Sequence, residues 1–202
     1  MSVLFTGNLS NLSLEFYNRI TPTEKCVLFF DKDAKHYREK NLVTYVKNKN
    51  VEDDIMHIFS TFDFSTVVYV SSTIDGNIKV FNELEHLESI LYACRKYKVS
   101  HFIYITSNDL IGYDSDKVDL VSRAALMSAC ENMCKEFALE RICHFKIIKI
   151  PYLYNLKENN NRLTHYIERA IVKGKIIFRG TKNKQIDFLC DEDLGKLIDG
   201  CS

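Results

Sequence analysis

Three side chains in the second half of the sequence have the types that proton transfer and hydroxyl binding use. Ser107 ends an apolar run and could orient a hydroxyl group, while Asp119 and Arg123 stand four residues apart. An aspartate has an ordinary pKa of about 4 and is a poor base for an alcohol, whereas arginine can hold a ribose or carboxylate through its N–H donors. A helical ion pair would also explain Asp119 and Arg123, and Ser107 would also be an ordinary strand-end hydroxyl.

The first residues have the pattern of a site for an anionic ligand. Gly7 ends the apolar run Val3–Thr6 and precedes a segment whose apolar residues have helical spacing. A turn between a strand and a helix directs backbone N–H groups towards phosphate. Asp31 follows the run Cys26–Phe30, and a carboxylate there hydrogen-bonds a ribose in dinucleotide-binding folds. Any tight turn would also explain Gly7, and helix capping would explain Asp31.

These residues lie along alternating strand-like and helix-like segments. The strand-like segments, most of them apolar runs, are Val3–Thr6, Cys26–Phe30, Leu42–Val46, Thr66–Val70, Phe102–Ile105, Phe145–Ile150 and Ile176–Phe178. The helical segments are Asn11–Ile20, Val51–Phe59, Phe81–Tyr97, Leu120–Ala138, Leu163–Val172 and Asp191–Ile198. Apolar runs without polar alternation indicate strands buried on both faces of a parallel sheet. The pattern predicts an α/β fold with a Rossmann-type, doubly wound parallel sheet.

Short motifs also follow one another in a recognisable order. Gly7 opens a turn of the pattern G-x-x-G-x-x-G in which Ser10 and Ser13 replace the second and third glycines. Ser71–Ser72 is a small-residue turn after a buried run, and the segment His101–Gly112 begins with a strand that ends at Thr106 and Ser107. Later segments complete the set: Lys149–Asn155, Gly174–Gly180 and Gln185–Leu194. In this order the motifs resemble the NAD-dependent epimerase/dehydratase family, the extended short-chain dehydrogenases/reductases.

The resemblance implies an NAD site on the first strands and on the helix after the fifth. The positions that would contact the cofactor are Gly7, Ser10, Ser13, Asp31, Ser71 and Arg123. The Cβ atoms of the two serines hinder the approach of a pyrophosphate, so we expect NAD to bind weakly. The acidic residue after the second strand favours NAD over NADP. Asn82 begins the next helix as an Asn often does in the family, while Glu85 and His86 replace the Gly-Thr pair that follows it.

The sequence departs from the family at its catalytic residues. In the family, a Tyr phenolate takes a proton from a sugar hydroxyl, a Lys four residues later lowers the Tyr pKa, and a Ser or Thr orients the hydroxyl. Ser107 matches the last of these, but Asp119 replaces the Tyr and Arg123 replaces the Lys. The resemblance therefore implies a degenerate member in which the catalytic positions no longer carry the chemistry of general base catalysis.

The resemblance covers nearly all 202 residues and implies one NAD(P)-binding domain. Residues of about 1–155 would form the core, and about 156–202 would be the remnant of a truncated C-terminal substrate lobe. The family's pocket-shaping loop is also shortened between Gly112 and Asp119. We expect the uncovered crevice to be closed by a second copy, packed through the helices that bear Tyr92 and Met127, or by a further domain of a longer chain.

Composition excludes several classes of protein. The chain has 27 Lys and Arg against 27 Asp and Glu, so no net field attracts nucleic acid or an anionic membrane. Its apolar runs are strand-length, which predicts no membrane span and a cytoplasmic protein. Seven Cys without a C-x-x-C pair indicate reduced, buried thiols. Cys130 and Cys134 are one helical turn apart but lack a His on that face, so we expect core packing and no metal.

Three interpretations remain open from the sequence. The first is a catalytically inactive module that binds a dinucleotide or a sugar nucleotide and has a regulatory role. The second is an active epimerase, dehydratase or reductase with atypical catalytic residues, and the third is a scaffold domain that binds no nucleotide. The replaced Tyr and Lys argue against the second interpretation. The serines in the phosphate turn argue against tight NAD binding.

Overall fold

The computed structural model describes residues 2–9, 25–30, 42–46, 51–72, 80–108, 118–154 and 187–199. The strands are β1 (Ser2–Gly7), β2 (Lys25–Phe30), β3 (Leu42–Val46), β4 (Phe64–Val70), β5 (His101–Ser107), β6 (His144–Ile150), β7 (Tyr152–Tyr154) and β8 (Phe188–Cys190). The helices are α1 (Val51–Thr61), α2 (Val80–Tyr97), α3 (Val118–Leu139) and α4 (Asp191–Asp199). The predicted segments Asn11–Ile20, Leu163–Val172 and Ile176–Phe178 lie outside the described residues.

Six strands form one sheet in the order β3-β2-β1-β4-β5-β6, and every neighbouring pair is parallel. From β1 in the centre, β2 and β3 are added towards one edge of the sheet. β4, β5 and β6 are then added towards the opposite edge. This is the Rossmann order, and it confirms the predicted fold class. β7 and β8 pair in a separate parallel sheet. The sequence did not predict this pair, because three residues are too few to show a periodic pattern.

Helices cover both faces of the sheet, and alternate residues of each strand meet different helices. Leu4 of β1 faces α1, α2 and α3, whereas its neighbour Phe5 faces α4. The core on the first face includes Ile55, Leu87, Ile90, Phe102, Leu126 and Phe137. The core on the second face includes Val68, Ile103, Ile150, Leu194 and Ile198. This two-sided burial explains why the sequences of the central strands β1, β4 and β5 are mostly apolar.

The helices α2 and α3 bury one face each, as their periodicity predicts. Cys130 and Cys134 are fully buried in α3, which confirms the prediction of core packing. Met127 is also buried, while Tyr92 and Val121 are about half exposed. Within the described ranges, none of the helices has the length and apolarity needed to cross a bilayer.

Candidate functional site

The candidate site lies at the carboxyl edge of the sheet, where β1 and β4 are neighbours and the strand order reverses. Open α/β sheets bind ligands in the crevice at this point. Gly7 pairs with Val70, so the end of β1 and the start of the Ser71–Ser72 turn are adjacent. The backbone N–H of Ser71 donates to the carbonyl of Ile105 (2.9 Å), which joins the turn to β5. The ends of three strands therefore form one continuous rim.

Gly7 is required by the close approach of β1 to β4. Its φ is 90°, in the left-handed region, and a Cβ atom at this position would lie 2.2 Å from the carbonyl oxygen of Val70. The next residue donates its backbone N–H to the same oxygen, with Asn8 N to Val70 O at 2.7 Å. The fold therefore requires glycine at position 7 whether or not a cofactor binds there. Ser10, Ser13 and Asp31, predicted to complete the cofactor site, lie outside the described residues.

Glu83 is a buried carboxylate at this edge that the sequence analysis did not single out. It lies in the first turn of α2 and is 6% exposed. The Ser71 hydroxyl donates to its Oε1 at 2.7 Å, and the Ser72 hydroxyl donates to its Oε2. The Ser72 N–H lies 3.2 Å from Oε1 and 3.3 Å from Oε2. One sequence signal existed, because Glu83 precedes the buried Leu87 by one helical turn and so lies on the apolar face.

His86 of α2, at a position where the family has a Thr, packs against residues of three neighbouring strands, β1, β2 and β4. Its Nε2 lies 3.3 Å from the Thr6 Oγ1, and which atom donates depends on the tautomer. Its ring contacts Phe29 at 5.8 Å and Tyr69 at 5.5 Å between centroids. The residue is 8% exposed. His86 therefore fills the space behind the β1 turn as a buried core side chain bonded to β1.

Two tyrosines lie behind the Ser71–Ser72 turn. The rings of Tyr69 and Tyr104 stack with centroids 5.8 Å apart, and the Tyr69 hydroxyl donates to the Glu83 carbonyl at 3.4 Å. Burial raises the pKa of both phenols, and the negative charge of Glu83 raises them further. The same causes raise the pKa of the Cys130 thiol to about 12. All three side chains therefore keep their protons at neutral pH.

The three predicted catalytic residues lie on the elements assigned to them. Ser107 is buried, with 3% exposure, at the end of β5. Asp119 lies in the first turn of α3 and Arg123 in the next turn. The Arg123 side chain is partly buried, whereas the Asp119 side chain is outside the described residues. The sequence of α3 contains no tyrosine, and its one lysine is Lys135, far from the end that follows β5.

A second cation near the rim pairs with a buried carboxylate. Lys149, the residue before the last one of β6, is 37% exposed and lies 2.8 Å from Glu131 of α3, whose side chain is 8% exposed. Lys149 begins the segment that resembles a family motif. Its ion pair joins β6 to α3, which gives it a role in packing. In the parts of the chain that the structure describes, no three His, Cys, Asp or Glu side chains converge as metal ligands would.

The fold and rim define a Rossmann-type chain, and several solved structures share this fold. WbmH of Bordetella bronchiseptica, in complex with NAD+, has a TM-score of 0.69 at 16% identity over 98% of this chain and 70% of that one. UDP-glucose 4-epimerase of Thermotoga maritima, with UDP-glucose, has a TM-score of 0.76 at 13% identity over 97% and 71%. DesIV, the dTDP-glucose 4,6-dehydratase of Streptomyces venezuelae, with NAD and TYD bound, has a TM-score of 0.71 at 10% identity over 98% and 71%.

These structures are members of the NAD-dependent epimerase/dehydratase family, so the resemblance found in the sequence is confirmed in the fold. At such low identity the likeness establishes the architecture, and the site residues have to be judged from their own chemistry. No protein-family model and no curated protein matches the chain.

Proposed function

We propose that the chain is a nucleotide-binding module that does not convert sugar nucleotides. Support for binding comes from the crevice between β1 and β4, the place where this fold takes its ligands. The similar structures of WbmH and DesIV hold NAD in their own sites. Asp31 favours NAD over NADP, and the serines at positions 10 and 13 keep the affinity low. Ligand occupancy would act on a contact with a second copy or with a further domain.

The proposed lack of catalysis rests on the tyrosines beside Glu83, whose pKa values are too high for a base at neutral pH. Taking a proton from a sugar hydroxyl needs a base whose pKa is near the working pH. The described tyrosines nearest the rim, Tyr69 and Tyr104, have raised pKa values because they are buried beside a negative charge. The family's Tyr position is taken by Asp119, and a free aspartate, with a pKa of about 4, is a poor base for an alcohol. Removing a proton from the sugar would need a stabilised Tyr phenolate at position 119, and this chain has an aspartate there. The proposed site therefore lacks a suitable base.

A sugar-nucleotide assay tests this proposal. We expect no conversion above the buffer blank when the protein is incubated with NAD and UDP-, GDP- and dTDP-sugars and the products are separated by chromatography. The Thermotoga maritima epimerase, run in parallel on UDP-glucose, shows that the assay detects turnover. Conversion that is abolished by Ser107→Ala and by Asp119→Ala would show that the chain is an active enzyme with atypical residues.

A further inference from the structure

The Ser71–Ser72 turn and Glu83 form one hydrogen-bonded unit, here called the Ser–Glu unit. Each of the two serines has one backbone N–H and one hydroxyl proton to donate. The Ser71 N–H donates to Ile105, and the Ser71 hydroxyl donates to Glu83. The Ser72 N–H and the Ser72 hydroxyl both donate to Glu83. All four donors of the turn are thus directed into the protein.

Turns at the carboxyl edge bind phosphate by offering N–H and O–H groups to its oxygens. The Ser–Glu unit instead presents the hydroxyl oxygen of the partly buried Ser72 as an acceptor, and the Glu83 carboxylate lies directly behind it. The negative charge of Glu83 also acts on its surroundings, since it contributes to the raised pKa values of Tyr69 and Tyr104. A ligand group at this turn is favoured when it donates hydrogen bonds and disfavoured when it is anionic.

The Ser–Glu unit lies next to the place where the fold would receive a diphosphate. Gly7 ends β1 and pairs with Val70, the residue directly before the turn. Paired strands are about 4.8 Å apart, so Ser71, which hydrogen-bonds the carboxylate, is close to one strand spacing from the end of β1. At that range two unit charges interact measurably even in a solvated crevice.

We propose that Glu83 is a specificity-determining residue, which makes the β4 side of the crevice select hydroxyl or amide donors of a nucleoside over a phosphate. The inference rests on the proposed nucleotide-binding function and narrows its ligand class. The chain should accept a nucleoside about as well as the matching nucleoside diphosphate. The diphosphate, which adds affinity at most Rossmann turns, adds little at this one because of the adjacent carboxylate.

Calorimetry with adenosine and with ADP, without magnesium, tests the inference on the full chain. Glu83→Gln removes the charge, and its amide can donate to one serine so that a hydroxyl proton becomes free for the ligand. We expect this variant to raise the affinity for ADP relative to adenosine by about tenfold. Glu88→Gln, on the exposed face of the same helix, removes an equal charge away from the crevice and should leave the ratio unchanged.

The possible outcomes separate this inference from the proposed function. An unchanged ratio in a Glu83→Gln variant that still binds adenosine overturns the role of Glu83 and leaves nucleotide binding intact. Failure of the wild-type chain to bind either compound overturns the proposed function and this inference with it. If circular dichroism shows that the variant does not fold, the inference is tested on the wild-type protein by changing the salt concentration. Added salt should then raise the affinity for ADP relative to adenosine, because it screens a repulsion, and a fall in that ratio contradicts the inference.

Discussion

Replacing Gly7 by alanine is expected to lower the free energy of unfolding by about 2–4 kcal/mol, through backbone strain and overpacking together. The added Cβ would lie 2.2 Å from the Val70 carbonyl oxygen, and the backbone has a φ of 90°. That oxygen accepts the Asn8 N–H at 2.7 Å and belongs to the central strand pair, so it has little room to move. Urea denaturation followed by circular dichroism measures the loss.

A second substitution at the same position separates the two causes. Asparagine tolerates positive φ better than alanine does, but it carries the same Cβ atom. We therefore expect Gly7→Asn to be destabilised about as much as Gly7→Ala. An asparagine variant close to wild type would show that conformational strain dominates. An alanine variant within about 0.5 kcal/mol of wild type, the range of ordinary surface substitutions, would contradict the packing described for the β1 turn.

The second large effect is expected in the core on the first face of the sheet. Phe102 of β5 is fully buried, and its ring stacks on Phe145 of β6 with centroids 5.4 Å apart. It also contacts the ring of Phe137 on α3 at 6.0 Å. Phe102→Ala removes the most deeply buried of these three rings and should cost about 3–5 kcal/mol in thermal or chemical unfolding.

Phe145→Ala is the matched control, because it deletes the same side chain on the next strand. Phe145 is only partly buried and lies on the last strand of the sheet, so water replaces part of what the ring loses. We expect a clearly smaller loss of stability than for Phe102→Ala. Equal losses in the two variants would mean that the depth of Phe102 in this core is wrongly described.

The sheet could be predicted from the sequence because its strands are apolar on both faces. Runs such as Cys26–Phe30 and Thr66–Val70 have no polar alternation, and only a parallel sheet covered on both sides buries them completely. The Rossmann-type strand order was predicted from the alternation of these runs with helical segments, because such βαβ units cross over with one hand. The short β7 and β8 strands were missed because their pairing depends on contacts between distant segments.

The site could be predicted only in part. Gly7, Ser71 and Ser107 were identified because they follow buried strands, and all three lie on the carboxyl edge. Glu83 was missed because its partners Ser71 and Ser72 are brought to it by the packing of α2 against β4, which no local pattern encodes. The predicted i,i+4 pair of Asp119 and Arg123 and the roles of Ser10, Ser13 and Asp31 stay predictions.

Native mass spectrometry of the purified chain with added NAD tests nucleotide binding most directly. We expect a mass increase of one dinucleotide per chain that is lost at low ligand concentration, and a more persistent increase when Ser10→Gly and Ser13→Gly restore the glycine turn. No bound NAD in either protein at any concentration would contradict a nucleotide-binding module and favour a scaffold domain.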